Sequence, residues 1–208
     1  MRVSKLLFIA ALFAAALSSC AKTNLTNLWR SEDKPAALTN IMVVSLERDS
    51  ELRQMWEDAI VAEFQANGVM ARPEYTMFPT SLPDSQQVVV VAHRDKYDGV
   101  VVVNKLPGAY KENMDNDYSK RAPSGAGEYW RGWYHTHWVQ ANGAPIVKKD
   151  DEKEERYQID LANAAGGGTM LWTGSTPPLK PHDTEKLGKD VCNELVSEFL
   201  RRGYVAKR

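Results

Sequence analysis

The chain has 208 residues and a formal net charge of −1, with 26 Lys and Arg against 27 Asp and Glu. A near-neutral balance without a basic stripe excludes the electrostatic footprint that nucleic-acid binding requires. Hydrophobic residues make up 43% of the chain, enough for a substantial core, and the length fits one domain somewhat above modal size.

The first predicted element is a leader. Arg2 and Lys5 give a short positive start, and Leu6 to Leu17 is an apolar run. That run falls well short of the roughly 20 residues needed to cross a bilayer, and its flanks fit a secretory signal. It ends in Leu17-Ser18-Ser19-Cys20, which resembles a bacterial lipobox. The resemblance implies cleavage before Cys20, a diacylglycerol thioether on its sulfur and acylation of the new amino end. Two or more fatty chains hold a protein stably on a membrane. Ala21 in place of an aspartate leans towards the outer membrane. Residues 1–19 are therefore expected to be a lipoprotein signal peptide, 20–38 a polar tether, and 39–208 a single α/β domain.

The domain opens with Ile41 to Leu46, a nearly continuous apolar run of the kind found in a strand covered on both faces. Asp49-Ser50-Glu51 reads as a helix start. Leu52, Met55, Trp56, Ala59, Ile60 and Phe64 then recur at helical spacing. Arg53 and Glu57, four apart, are expected to pair on the opposite, solvated side. Asn67-Gly68 ends this helix and Val69-Met70-Ala71 begins a second strand. Residues 84–96 carry four consecutive valines that favour a strand, but Pro83-Asp84-Ser85 resembles a helix start and the spacing suits a crossover; the prediction is a helix. Val100 to Val103 is a third strand. The order βαβαβ predicts a parallel start to the sheet.

The second half has a different character. Residues 108–127 are polar, consistent with an arm or loop. Glu128 to Val139, EYWRGWYHTHWV, is rich in β-forming aromatics and reads as a strand. Lys148 to Glu155 is a charge run. Tyr157, Ile159 and Leu161 alternate with polar residues, and Met170 to Thr173 follows a glycine triplet, so the two pair as an antiparallel hairpin. Leu187, Val191, Leu195 and Phe199 mark a last helix, with Arg201 and Arg202 near its carboxyl end. The predicted fold is α/β: a mixed sheet begun by βαβαβ, extended by antiparallel strands and flanked by about three helices.

The lipobox, the helix with Arg53-x-x-x-Glu57, the strand in YDGVVVV, and TMLWTGST leading to a terminal helix ending RRGY together resemble uncharacterised Gram-negative envelope lipoproteins with a TolB-amino-terminal-like α/β fold. That resemblance implies a periplasmic domain, anchored to the membrane through its amino-terminal lipid, that binds an envelope protein or supports assembly without catalysis.

Among candidate sites, His135 and His137 stand two apart. On a strand they share a face, as a zinc pair would, although a zinc site normally needs further ligands. The rival reading is thus a periplasmic metal-dependent hydrolase. Trp130, Trp133, His135, His137 and Trp138 form an aromatic stretch that either packs under the 108–127 arm or presents a surface to a protein, glycan or lipid. Capture of a small apolar ligand there is a third possibility. The glycine triplet Gly166-Gly167-Gly168 lacks the Gly-Lys-Ser/Thr ending of a phosphate loop, and no cofactor is expected. Cys192 sits at helical spacing with apolar residues and reads as a buried thiol.

Overall fold

A computed structural model describes residues 25–32, 36–106, 134–135, 137–139, 141–142, 154–164, 168–180 and 184–208. The chain forms strand β1 (Thr26–Arg30), strand β2 (Asn40–Ser45), helix α1 (Ser50–Ala66), strand β3 (Met70–Pro73), a 3-10 turn (Glu74–Thr76) and helix α2 (Ser85–Arg94). Strands β4 (Gly99–Lys105), β5 (Tyr157–Asn163) and β6 (Met170–Ser175) follow, and helix α3 (Thr184–Arg202) comes last. The six strands make one mixed sheet in the order β1-β6-β5-β4-β2-β3. Strands β3, β2 and β4 are parallel; β5, β6 and β1 add antiparallel neighbours. The fold is α/β, as the sequence predicts.

Local chemistry explains each boundary. Asp49 caps α1 by accepting from the amides of Glu51 and Leu52. Gly68 follows the helix at φ 77°, where a side chain would be strained. The valine run of α2 is helical because Asp84 and Gln87 form a reciprocal capping box. Three backbone amides, those of Asp84, Gln86 and Gln87, are satisfied there, enough to outweigh the β preference of valine once the helix can bury one face.

Strand alternation divides the core. Ile41, Val43, Val101, Val103, Ile159 and Leu161 face α1 and α3 and join Trp56, Ile60, Phe64, Leu195 and Phe199. Met42, Val44, Val100 and Val102 face the opposite way, onto Val88, Val91 and Ala92 of α2. The sheet is therefore buried on both sides, which is why its central strands read as unbroken apolar runs. Trp172 meets Phe199 edge-on at 5.1 Å and lies over Gly174, where an added Cβ would come within 2.1 Å of the indole. Cys192 is fully buried, and burial raises its thiol pKa well above the ordinary value.

Two sequence expectations are corrected. The tether assigned to residues 20–38 contains β1, antiparallel to β6. Leu25 and Leu38 within that span are buried, so polar composition masked a strand whose partner lies far along the chain. The strand predicted over 128–139 is also overturned where it is described, because residues 134–135, 137–139 and 141–142 are helical. Aromatic content is a weak β signal when one face of a segment packs on a neighbouring turn.

Candidate functional site

Loops at the carboxyl ends of the parallel strands are where open α/β sheets place their sites. In this protein that end holds an unusual density of buried charge. Arg53 from α1 is 5% exposed, and Glu57 and Glu74 are fully buried. Arg53 Nη2 donates to Glu74 Oε2 at 2.5 Å and to the Phe78 carbonyl at 2.9 Å. Its Nη1 reaches the Ser81 carbonyl at 3.2 Å, and its Nε meets Glu57 Oε1 at 3.4 Å. Glu57 also accepts from the amides of Ser45 at 3.0 Å and Tyr75 at 2.8 Å. Two side chains of α1 thus pin its surroundings: Glu57 holds β2 and the 3-10 turn, and Arg53 holds the 3-10 turn and the loop after it. The Arg53 and Glu57 pair is not on a solvated face, contrary to the sequence reading.

Two carboxylates share one guanidinium here, and desolvation dominates both. Burial pushes Glu57 up to about 7 against the opposing pull of two backbone amides and Arg53. Burial and the neighbouring Glu57 push Glu74 up to about 8, with Arg53 acting the other way. Glu74 Oε1 is buried without a hydrogen-bond partner. Desolvation and mutual repulsion both act against charging the two carboxyls together.

A second group lies beside it. Glu47 follows β2 and is 8% exposed, with Oε1 unpartnered. Burial raises its carboxyl, while Lys105 at the end of β4 pulls it back. Lys105 pairs with Glu155, which also accepts from the Tyr157 hydroxyl at 2.9 Å. Trp56 packs on Tyr157 with ring centroids 4.8 Å apart. On the α2-facing side of the sheet, Asp160 is buried and raised to about 7 by desolvation, held by Thr173 at 2.6 Å and Gln158 at 2.8 Å.

The aromatic segment closes this end. The buried Tyr134 donates from its hydroxyl to the Pro83 carbonyl at 2.8 Å, and Trp138 Nε1 donates to the Leu82 carbonyl at 3.2 Å. Both carbonyls belong to the turn that leads into α2. Burial holds the Tyr134 hydroxyl well above its ordinary value, and the Glu74 charge adds to it. His135 is exposed, Trp138 is half-buried, and their rings stack at 6.3 Å and 17°. Val139 is 48% exposed.

Of the residues singled out from sequence, His135, His137 and Trp138 thus sit together at the carboxyl end. On helical backbone, positions two apart point in widely different directions, so His135 and His137 do not share a face. Among the described residues no group of three His, Cys, Asp or Glu side chains is placed to hold a metal. Trp130, Trp133 and Cys20 lie outside the described residues. Sequence reasoning missed Glu47, Glu74 and Tyr157, whose proximity depends on strand order; only Arg53-x-x-x-Glu57 was visible as a pattern.

A groove of about 420 Å³ between β1 and α3 is lined by Leu25, Asn27, Trp172, Glu198, Arg201 and Arg202. Both arginines pair with Glu198. Among the described residues, no helix is long and apolar enough to cross a membrane.

No family model matches the chain, and no curated protein does. Two crystal structures of the PelC dodecamer from Paraburkholderia phytofirmans, one of them a single-substitution variant, are similar in fold. The variant has 10% identity and a TM-score of 0.44, over 84% of this chain and 96% of that one. The other has 10% identity and a TM-score of 0.43, over 80% and 91%. At this level the likeness assigns neither a family nor an activity.

Proposed function

We propose that this protein is an exported, lipid-anchored envelope domain at the periplasmic face, in the outer membrane, and that it works by binding rather than catalysis. The lipobox ending at Cys20 supports the anchor, and the sequence resemblance to envelope lipoproteins agrees with it. The observation that carries the binding role is what the carboxyl end turns outward. Its arginine and acids bond inward to backbone and to one another. The aromatic segment instead leaves His135, Val139 and part of Trp138 to the outside. Exposed aromatic and apolar groups on a pinned backbone are the usual anchors of an interaction surface.

Intact-mass measurement of protein purified from native envelope tests this reading. The expected species begins at Cys20 and carries a diacylglycerol and a fatty acyl group, and Cys20→Ser retains the leader. An unmodified Cys20 in the wild type would remove the anchor and the compartment together. Stoichiometric metal that disappears in His135→Ala/His137→Ala would replace the binding role with metal-dependent hydrolysis.

A further inference from the structure

The point at which the chain enters the fold is fixed by register. Thr26 in β1 lies opposite Ser175, Ser175 opposite Gln158, and Gln158 opposite Asn104. Val103, one residue earlier, lies opposite Ser45 at the end of β2. The first residue of β1 is therefore level with the carboxyl ends of the parallel strands. The aromatic segment grips Leu82 and Pro83, which sit at that same end, since Ser81 is bonded to Arg53 near the start of α1.

Chain length then decides orientation. The five peptide steps from Cys20 to Leu25 span at most about 18 Å. A strand the length of β2 adds roughly 20 Å between the two ends of the sheet. A domain with its amino end towards the bilayer would need the chain to run the height of the sheet before reaching β1, and the leash is too short to do so with slack.

We propose that the carboxyl end of the sheet faces the lipid surface that holds Cys20, and that the surface formed by His135, Trp138 and Val139 lies in the headgroup region of that bilayer. The inference rests on the lipid attachment proposed above and names the partner of that segment. The side-chain chemistry suits the location. Trp138 directs its only polar atom inward to Leu82, so the ring area left outside is apolar. Val139 adds exposed apolar surface, and His135 beside it offers a polar edge. Tryptophan with apolar neighbours favours the membrane–water interface, and shallow insertion needs no long apolar run. A protein partner would have to occupy a face that the leash already holds against lipid.

Nitroxide labels at Val139→Cys and, as a control at the opposite end of α2, at His93→Cys test this in the full lipidated chain. Both sites are exposed, and Cys192 is too deeply buried to label. In vesicles of phosphatidylethanolamine and phosphatidylglycerol, the label at 139 is expected to be several-fold more accessible to dissolved oxygen, relative to a water-soluble nickel chelate, than the label at 93. Equal exposure to the chelate at both sites, with the Cys20 lipid confirmed by mass, overturns the inference and leaves the anchored reading standing. Shielding at 139 that appears in native envelope but not in pure lipid makes the partner a protein and also overturns it. An unmodified Cys20 takes down both.

Discussion

The two ends of the sheet solve the same problem in opposite ways. At the amino end, Asp98 accepts four hydrogen bonds, from the Thr39 and Asn40 amides and the Thr39 hydroxyl, within 2.8–3.0 Å. Leu38 bridges Val205, and the Arg208 amide reaches the Gly68 carbonyl. Polar groups there are paired and only part-buried. At the carboxyl end, Ser45 Oγ, Glu47 Oε1 and Glu74 Oε1 are buried and unpartnered. The amino end satisfies its polar groups locally, whereas the carboxyl end gathers buried carboxylates around one guanidinium.

The sharpest way to break this contrast is Arg53→Met. It strands two carboxylates in the core and removes the link from α1 to the 78–81 loop. Chemical denaturation at pH 8 is expected to show a loss of about 3–5 kcal/mol. The loss shrinks as the pH falls towards 6 and the acids protonate. A loss under about 1 kcal/mol would mean the arginine is a surface residue in effect.

The wild type carries a related signature. Glu57 and Glu74 titrate higher in the fold than in the unfolded chain. The native state therefore holds more protons between about pH 4.5 and 8, and unfolding free energy falls as the pH rises through that window. The expected decline is on the order of a few kcal/mol, and Glu57→Gln/Glu74→Gln should flatten it. A wild-type stability that rises with pH over the same range would refute the raised carboxyls.

Smaller effects sharpen the comparison. Gly174→Ala forces the Trp172 ring to move and is expected to cost about 1–3 kcal/mol in thermal or denaturant unfolding, because the core there is already full. Asp98→Ala at the amino end should cost roughly 1–2 kcal/mol, since water replaces several of the lost bonds. Trp138→Ala should change global stability by about 1 kcal/mol or less, yet raise hydrogen exchange across 134–142. Equal exchange in both proteins would show that the Leu82 bond does not hold the segment.

Much of the fold was legible in the sequence, and for identifiable reasons. The unbroken runs Ile41–Val44 and Val100–Val103 announced central strands because both faces are covered. Asp84 and Gln87 announced α2 despite its valines. β1 was hidden because it is a largely exposed edge strand whose partner, β6, lies more than a hundred residues later. The aromatic segment was misread as a strand because Tyr134 and Trp138 contact the 82–83 turn, and no local pattern encodes that contact. The buried acids were the least visible: Arg53 and Glu57 look like an ordinary surface pair until Glu74 arrives from the 3-10 turn after β3.

Hydrogen exchange of the mature lipidated protein on phospholipid vesicles, compared with the Cys20→Ser protein free in solution, addresses the contrast between the ends most directly. The expected result is slower exchange on vesicles at residues 78–84 and 134–142, with 93–98 and 204–208 unchanged. Slowing at the amino end instead, or at neither end, would contradict the assignment of the carboxyl end as the face turned to the membrane.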